Sequence, residues 1–232
     1  PGSFSYIQRN LDPLVFKMAA VPVDPSTFII ACCGISLAWA AIQFSIISQT
    51  KLGSTNGYEE ERASLKGKHS SRKEMELLRE VYEAISAGAE AFLRAEYSYC
   101  AVFVVIFSVI IYMLISWSQD TTIGFLTALS FVLGAITSIA SGYIGMRVAV
   151  YSNVRTTINA QKPGYMPCFN TAFRAGSVMG FALSGLGILV LYVTLLVFSQ
   201  YFEQDNWILM MECVSGYGLG GSSIALFGRV GG

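Results

Sequence analysis

The sequence predicts an all-α protein, a polytopic transmembrane helix bundle with about five visible spans, and three observations carry that expectation. Hydrophobic residues make up 53% of the 232 residues and charged residues only 13%, against about a quarter charged in a soluble domain. Four stretches, Pro25–Thr50, Tyr97–Gln119, Thr121–Met146 and Ala175–Phe202, hold no charged side chain. Each is long enough to cross a bilayer, which takes about 20 apolar residues. The charges gather between these runs, in connections that alternate basic and non-basic. Lys and Arg total 15 and so do Asp and Glu, so net charge gives no reason to expect a nucleic-acid partner, whereas membrane lipid is an expected one.

Residues 1–232 read as one partial transmembrane domain. The first expected span, about 27–48, follows some 25 residues with no small-residue cleavage pattern and contains Gln43, so a retained helix is favoured over a removed signal peptide. Lys51 to Arg79 is rich in Lys and Arg, and residues 53–72 lack apolar periodicity and read as a solvated loop. Beyond them Leu77, Leu78, Val81, Ile85, Ala89 and Phe92 recur at helical spacing, opposite Glu76, Arg79, Glu80, Glu83, Glu90 and Arg94. The 51–96 segment is thus a loop and an amphipathic helix leading into the second span, about 97–118. Glu90 and Arg94 stand four apart in the order that supports a helix.

The third span, about 122–147, is followed by the basic residues Arg147, Arg155, Lys162 and Arg174, and Gly164 to Pro167 interrupts the chain before the fourth, about 175–199. The connection from Ser199 to Asn206 carries Glu203 and Asp205 and no Lys or Arg. The positive-inside rule therefore puts the first and third connections in the cytoplasm, the N-terminus on the lumenal side and the fifth span running inward. That fifth span, about 207–232, carries Glu212 and is dense in Gly and Ser. Small residues let helix backbones approach closely in lipid. The expected interior faces are Gly176xxxGly180, Ser138xxxGly142 and Gly216xxxGly220, with the fifth segment the most enclosed.

Few residues invite chemistry. By position alone Arg229 sits near the bilayer edge, where a snorkelling arginine is favoured over a functional intramembrane charge. Glu212 reads as a carboxylate near a helix N-terminus. Arg94 and Glu96 read as an ion-paired interfacial anchor, Glu59, Glu60 and Glu61 as a solvated patch, and His69 as exposed. Five cysteines, Cys32, Cys33, Cys100, Cys168 and Cys213, show no CxxC spacing, which favours neither disulfides nor zinc. No GxSxG nucleophile motif or GxxxxGK[ST] phosphate loop is present. Catalytic, cofactor-binding and metal-ligating residues are therefore not expected within this segment.

The residues 216–232, GYGLGGSSIALFGRVGG, resemble the fifth helix of the membrane-integral pyrophosphatases, especially the potassium-dependent, proton-translocating vacuolar type. AISAGAEAFLRAEY, SGYIGMRVAVYSNVRTTINAQ, TAFRAGSVMGF and LSGLGILVLY agree in the same order, so the resemblance covers roughly residues 82–232. One departure is Ala87, where the family usually has Glu. The resemblance implies the N-terminal part of a protein of about sixteen helices that couples magnesium pyrophosphate hydrolysis to proton translocation. Mg2+ would be bound by residues beyond Gly232, with K+ as an activator. It further implies a homodimer in a vacuolar or other acidic-compartment membrane, with pyrophosphate and protons as partners and proton-or-sodium selectivity set further along. It places Arg229 in the charged ion-pathway and coupling region, deeper than spacing alone implies. The competing expectations are a non-catalytic membrane scaffold and a secondary-transporter segment. Against the latter, the first and last spans show no internal similarity.

Overall fold

The computed structural model describes residues 24–49, 68–202 and 206–231. Within them the chain forms five helices, α1 (Pro25–Ser48), α2 (Lys68–Ser118), α3 (Thr121–Ala160), α4 (Met166–Phe198) and α5 (Trp207–Gly231). The first four are long and apolar enough to cross a membrane. Their outward faces fit that solvent: Trp117 is 94% exposed and Val105 65%, a surface suited to lipid tails rather than water.

Each helix starts for a local reason. At α1, Asp24 caps the backbone N–H of Thr27 through its carboxylate and Pro25 fills the first turn, where its missing N–H costs nothing. The α2–α3 connection is only Gln119 and Asp120. Asp120 is the N-cap of α3 and accepts the Thr121 N–H at 2.7 Å. Between α3 and α4 the chain reverses through Gly164, whose φ of +84° is one that side-chain-bearing residues rarely adopt, and Pro167 sits in the opening turn of α4. Asn159 then donates to the Thr171 hydroxyl at 2.7 Å, tying the end of α3 to the start of α4.

The helices outrun the charge-free stretches. α2 has 51 residues, about 77 Å at 1.5 Å per residue, and α3 has 40, about 60 Å. Both exceed a hydrocarbon core of about 30 Å. As antiparallel neighbours, their far halves run side by side beyond the apolar segments and line a groove of about 450 Å³, between Leu77, Val81 and Ile85 on one side and Val150, Val154 and Thr157 on the other. α2 begins at Lys68, so residues 68–72 are helical and not part of a loop. An all-polar turn such as Lys68–Arg72 leaves no apolar periodicity to read, and its end residues, Lys68 and Arg72, are good helix formers. The rest of 53–72, including Glu59, Glu60 and Glu61, lies outside the described residues, as do the His69 side chain and residues Glu203 and Asp205.

Among the described residues α3 is the central strut, and α5, the segment expected to be the most enclosed, packs on it by one face. Ser130, Phe131 and Ala135 are fully buried on α3, and α2, α4 and α5 all pack against it. α5 buries only one face, through Cys213, Val214, Gly216, Gly220 and Ile224. α1 instead lies on α4, where Gly185 admits Ser36, and the Ser36 hydroxyl donates to the Phe181 carbonyl at 2.8 Å. Ala40, Ile47, Ala175 and Val178 join Val148 of α3 in one core cluster.

Two further expectations are corrected. A Cβ placed on Gly176 or Gly180 would meet nothing within 4 Å, so that small-residue face is open among the described residues. Glu90 approaches Arg147 of α3 at 4.0 Å rather than pairing with Arg94, because the antiparallel α3 brings a second cation to the same carboxylate.

Candidate functional site

The site begins with how α5 is held. On α3, Thr127, Phe131 and Gly134 recur at helical spacing, and α5 lays Gly216, Tyr217 and Gly220 against them. A Cβ on Gly216 would come within 2.7 Å of the Thr127 carbonyl oxygen, and one on Gly220 or Gly134 would collide with the Phe131 or Tyr217 backbone. Only glycine lets these two backbones touch, and such contact drives helix association where lipid removes the hydrophobic contribution. Hydrogen bonds pin the register. The Ser130 hydroxyl donates to the Val214 carbonyl at 3.3 Å, and the Tyr217 hydroxyl reaches the Gly187 carbonyl of α4 at 2.9 Å. Leu126, Phe198, Cys213 and Val214 close one end of the seam and Cys100, Phe131 and Ile224 the other.

The opposite face of α5 carries Glu212, Ser215, Leu219, Ser222 and Leu226, all exposed. Glu212 lies beyond the first turn of α5, which holds no acidic residue, so the helix dipole, which fades within a turn, does not account for it. The Ser215 hydroxyl donates back to the Glu212 carbonyl at 2.6 Å. Arg229 belongs to the helical backbone of α5, and its side chain lies outside the described residues.

Arg94 and Glu96 do not pair; among the described residues the ion pairs are Arg79–Glu83 and Arg147–Glu90. Two residues apart on a helix, Arg94 and Glu96 point to different sides. Arg94 is exposed and Glu96 half-buried, with its Oε1 3.3 Å from the Cβ position of Gly228. Phe103 of α2 reaches the same end of α5, its ring centroid 4.6 Å from that of Phe227. Sequence reasoning placed Glu96 with Arg94 and missed this approach to α5; the glycine before Arg229 was the available signal.

Among the described residues no three of His, Cys, Asp and Glu come together. They therefore offer no carboxylate set for the Mg2+ that the resemblance implies, and no hydrolytic step is assigned to them.

The family described as Inorganic H+ pyrophosphatase matches residues 34–232. Among individual proteins, one of Clostridium tetani, provisionally named a K(+)-stimulated pyrophosphate-energized sodium pump, is 41% identical over 157 residues, 68% of this chain and 21% of its own length. The K(+)-insensitive pyrophosphate-energized proton pumps of Methanosarcina mazei and Pyrobaculum aerophilum are 37% identical over 155 residues and 36% over 157, covering 67% and 68% of this chain and 21% of each pump. The chain thus spans about a fifth of the length of these relatives. With the match running through all five helices and the seam that holds α5, the chain belongs to the inorganic H+ pyrophosphatase family.

Proposed function

We propose that this chain is the N-terminal part of a pyrophosphate-energised proton pump, an integral multi-pass membrane protein that couples Mg-pyrophosphate hydrolysis to proton translocation. The observation that carries the reading is the family match over residues 34–232, which includes the whole of α5 and Arg229. The three relatives share a pyrophosphate-energised pump in their names and divide between sodium and proton. Magnesium neutralises phosphoryl charge and supplies an activated water when bound, at carboxylates assigned to the remainder of the polypeptide. K+ acts as an activator, the protein works as a homodimer, and its membrane is vacuolar or bounds another acidic compartment, with the N-terminus in the lumen.

In this scheme α1 to α4 form a rigid wall and α5 is the element mounted on it. The α3–α5 backbones approach so closely that a Cβ on Gly216 or Gly220 would meet the facing chain. The Ser130–Val214 and Tyr217–Gly187 hydrogen bonds hold α5 in register and so set the height of residue 229, as electrostatic coupling requires. Arg229 serves as the coupling charge of the ion path, a role that the resemblance to the family supports and spacing alone does not.

The test uses the full-length protein in sealed vesicles. Pyrophosphate with Mg2+ is expected to acidify the lumen in Na+-free medium, more strongly with K+, and Arg229→Ala to abolish pumping. Absence of hydrolysis above background at every Mg2+ concentration would remove the reading, and pumping that requires Na+ would replace the proton by sodium.

A further inference from the structure

α3 and α5 run in the same direction, since Thr127 faces Gly216 and Phe131 faces Gly220. α2 runs the other way beside them. Its Phe103 packs on Phe227, and its Glu96 comes within 3.3 Å of the Cβ position of Gly228. The α2 residues that meet α5 continue as one stripe, because Phe103, Glu96, Ala89, Ile85 and Leu78 are spaced by seven, seven, four and seven, the steps that keep side chains on one helix face.

Beyond Glu96 that stripe becomes a wall of the groove between α2 and α3. The groove is about 450 Å³, with Leu77, Leu78, Val81 and Ile85 on α2 opposite Val150, Val154 and Thr157 on α3. Leu77, Val81 and Ile85 are 61%, 48% and 45% exposed. They lie past the charge-free runs, which end at Tyr97 on α2 and Met146 on α3 and already suffice for the hydrocarbon core. Contiguous apolar surface outside lipid marks a docking site. The near end of this one is continuous with the crevice that α5 fills.

What fits it is a further stretch of the same polypeptide. The matched part is 21% of the length of the relatives, and α5, helical through Gly231, points along α3 at the groove. Two registers agree on where a continuing helix arrives. On α2, Ile85 and Leu77 stand 11 and 19 positions from Glu96, the residue level with Gly228. On α3, Val150 is 19 positions past Phe131, level with a position 19 past Gly220 and hence 11 past Gly228. The groove is thus met about 11 to 20 positions past Gly228, about 16–30 Å farther along the helix axis.

We propose that the α2–α3 groove is the dock for the segment that continues α5 on the cytoplasmic side, a helical stretch with apolar side chains at the three- and four-residue spacing that such a groove receives. The inference rests on the pump reading for the longer polypeptide and its topology. One pair of helices, α2 and α3, thereby grips the same strut inside the bilayer and outside it.

The test is photo-cross-linking of the full-length protein in membranes, with p-benzoylphenylalanine at Val81 or at Thr157, and at the lipid-facing Trp117 as control, followed by peptide mass spectrometry. Val81 and Thr157 are each expected to capture peptides that include positions about 7 to 16 past Gly232, the reach set by the helical rise, and Trp117 none of these. Val81→Asp is expected to lower the yield from Thr157 about tenfold or more, because a carboxylate is costly to bury in an apolar groove. Capture instead of residues 50–67, of a later part of the polypeptide, of a second copy or of lipid would overturn the proposal. So would no protein adduct from either position, or a yield that Val81→Asp leaves unchanged. Hydrolysis is read separately: the expected capture in a protein that does not cleave pyrophosphate fails the pump reading and leaves the dock standing.

Discussion

Four glycines show how one residue type plays opposite parts in this bundle. Gly134 and Gly220 lie where any Cβ would strike the backbone of the facing helix, whereas Gly176 and Gly218 have open space around them. Gly134→Ala and Gly220→Ala are therefore expected to cost about 1–3 kcal/mol through overpacking. Gly176→Ala and Gly218→Ala meet no such obstacle among the described residues, and where that space stays open should instead gain up to about 1 kcal/mol from helix propensity. Unfolding of the detergent-solubilised full-length protein, compared across the four variants, checks this; equal effects in all four would contradict the α3–α5 seam. Ser130 belongs to the same contact. Ser130→Ala should cost about 0.6 kcal/mol, an average interhelical hydrogen bond in a membrane.

At the scale of elements, the long α2–α3 pair is held along its outer half by packing more than by charge. The Arg147–Glu90 pair is 4.0 Å apart with both side chains more than half exposed, so Arg147→Gln is expected to change stability by less than about 0.5 kcal/mol, measured by the same unfolding assay. The apolar middles of the helices were legible in the sequence because lipid demands uncharged runs. Their true ends were not, because a helix satisfies its own backbone whether or not its side chains are apolar: α3 continues from Arg147 to Ala160 through mixed polar and apolar residues, and α4 starts nine residues before Ala175. The small-residue faces were visible, but which one is used was not. Gly176xxxGly180 and Gly216xxxGly220 have the same spacing, and only the second meets a facing backbone with a glycine of its own, Gly134. Glu96 was misread for a similar reason: its closeness to α5 depends on how helices cross, which no local spacing encodes.

Over the whole molecule, the proposed orientation makes a direct prediction. Cys168, partly exposed in the opening turn of α4, belongs to the third connection and should face the cytoplasm. With the other cysteines replaced, a membrane-impermeant maleimide added to cytoplasmic-side-out vesicles is expected to label it, and labelling only after the vesicles are opened would reverse the topology. The opposite rim differs sharply in accessibility. Two residues, Gln119 and Asp120, carry the chain from α2 into α3, so that rim presents almost no polypeptide there for a protease or an antibody to grip. During biosynthesis the same brevity leaves no room for one helix to settle before the next: α2 and α3 must enter the bilayer together as a single hairpin, with Asp120 drawn across at its tip.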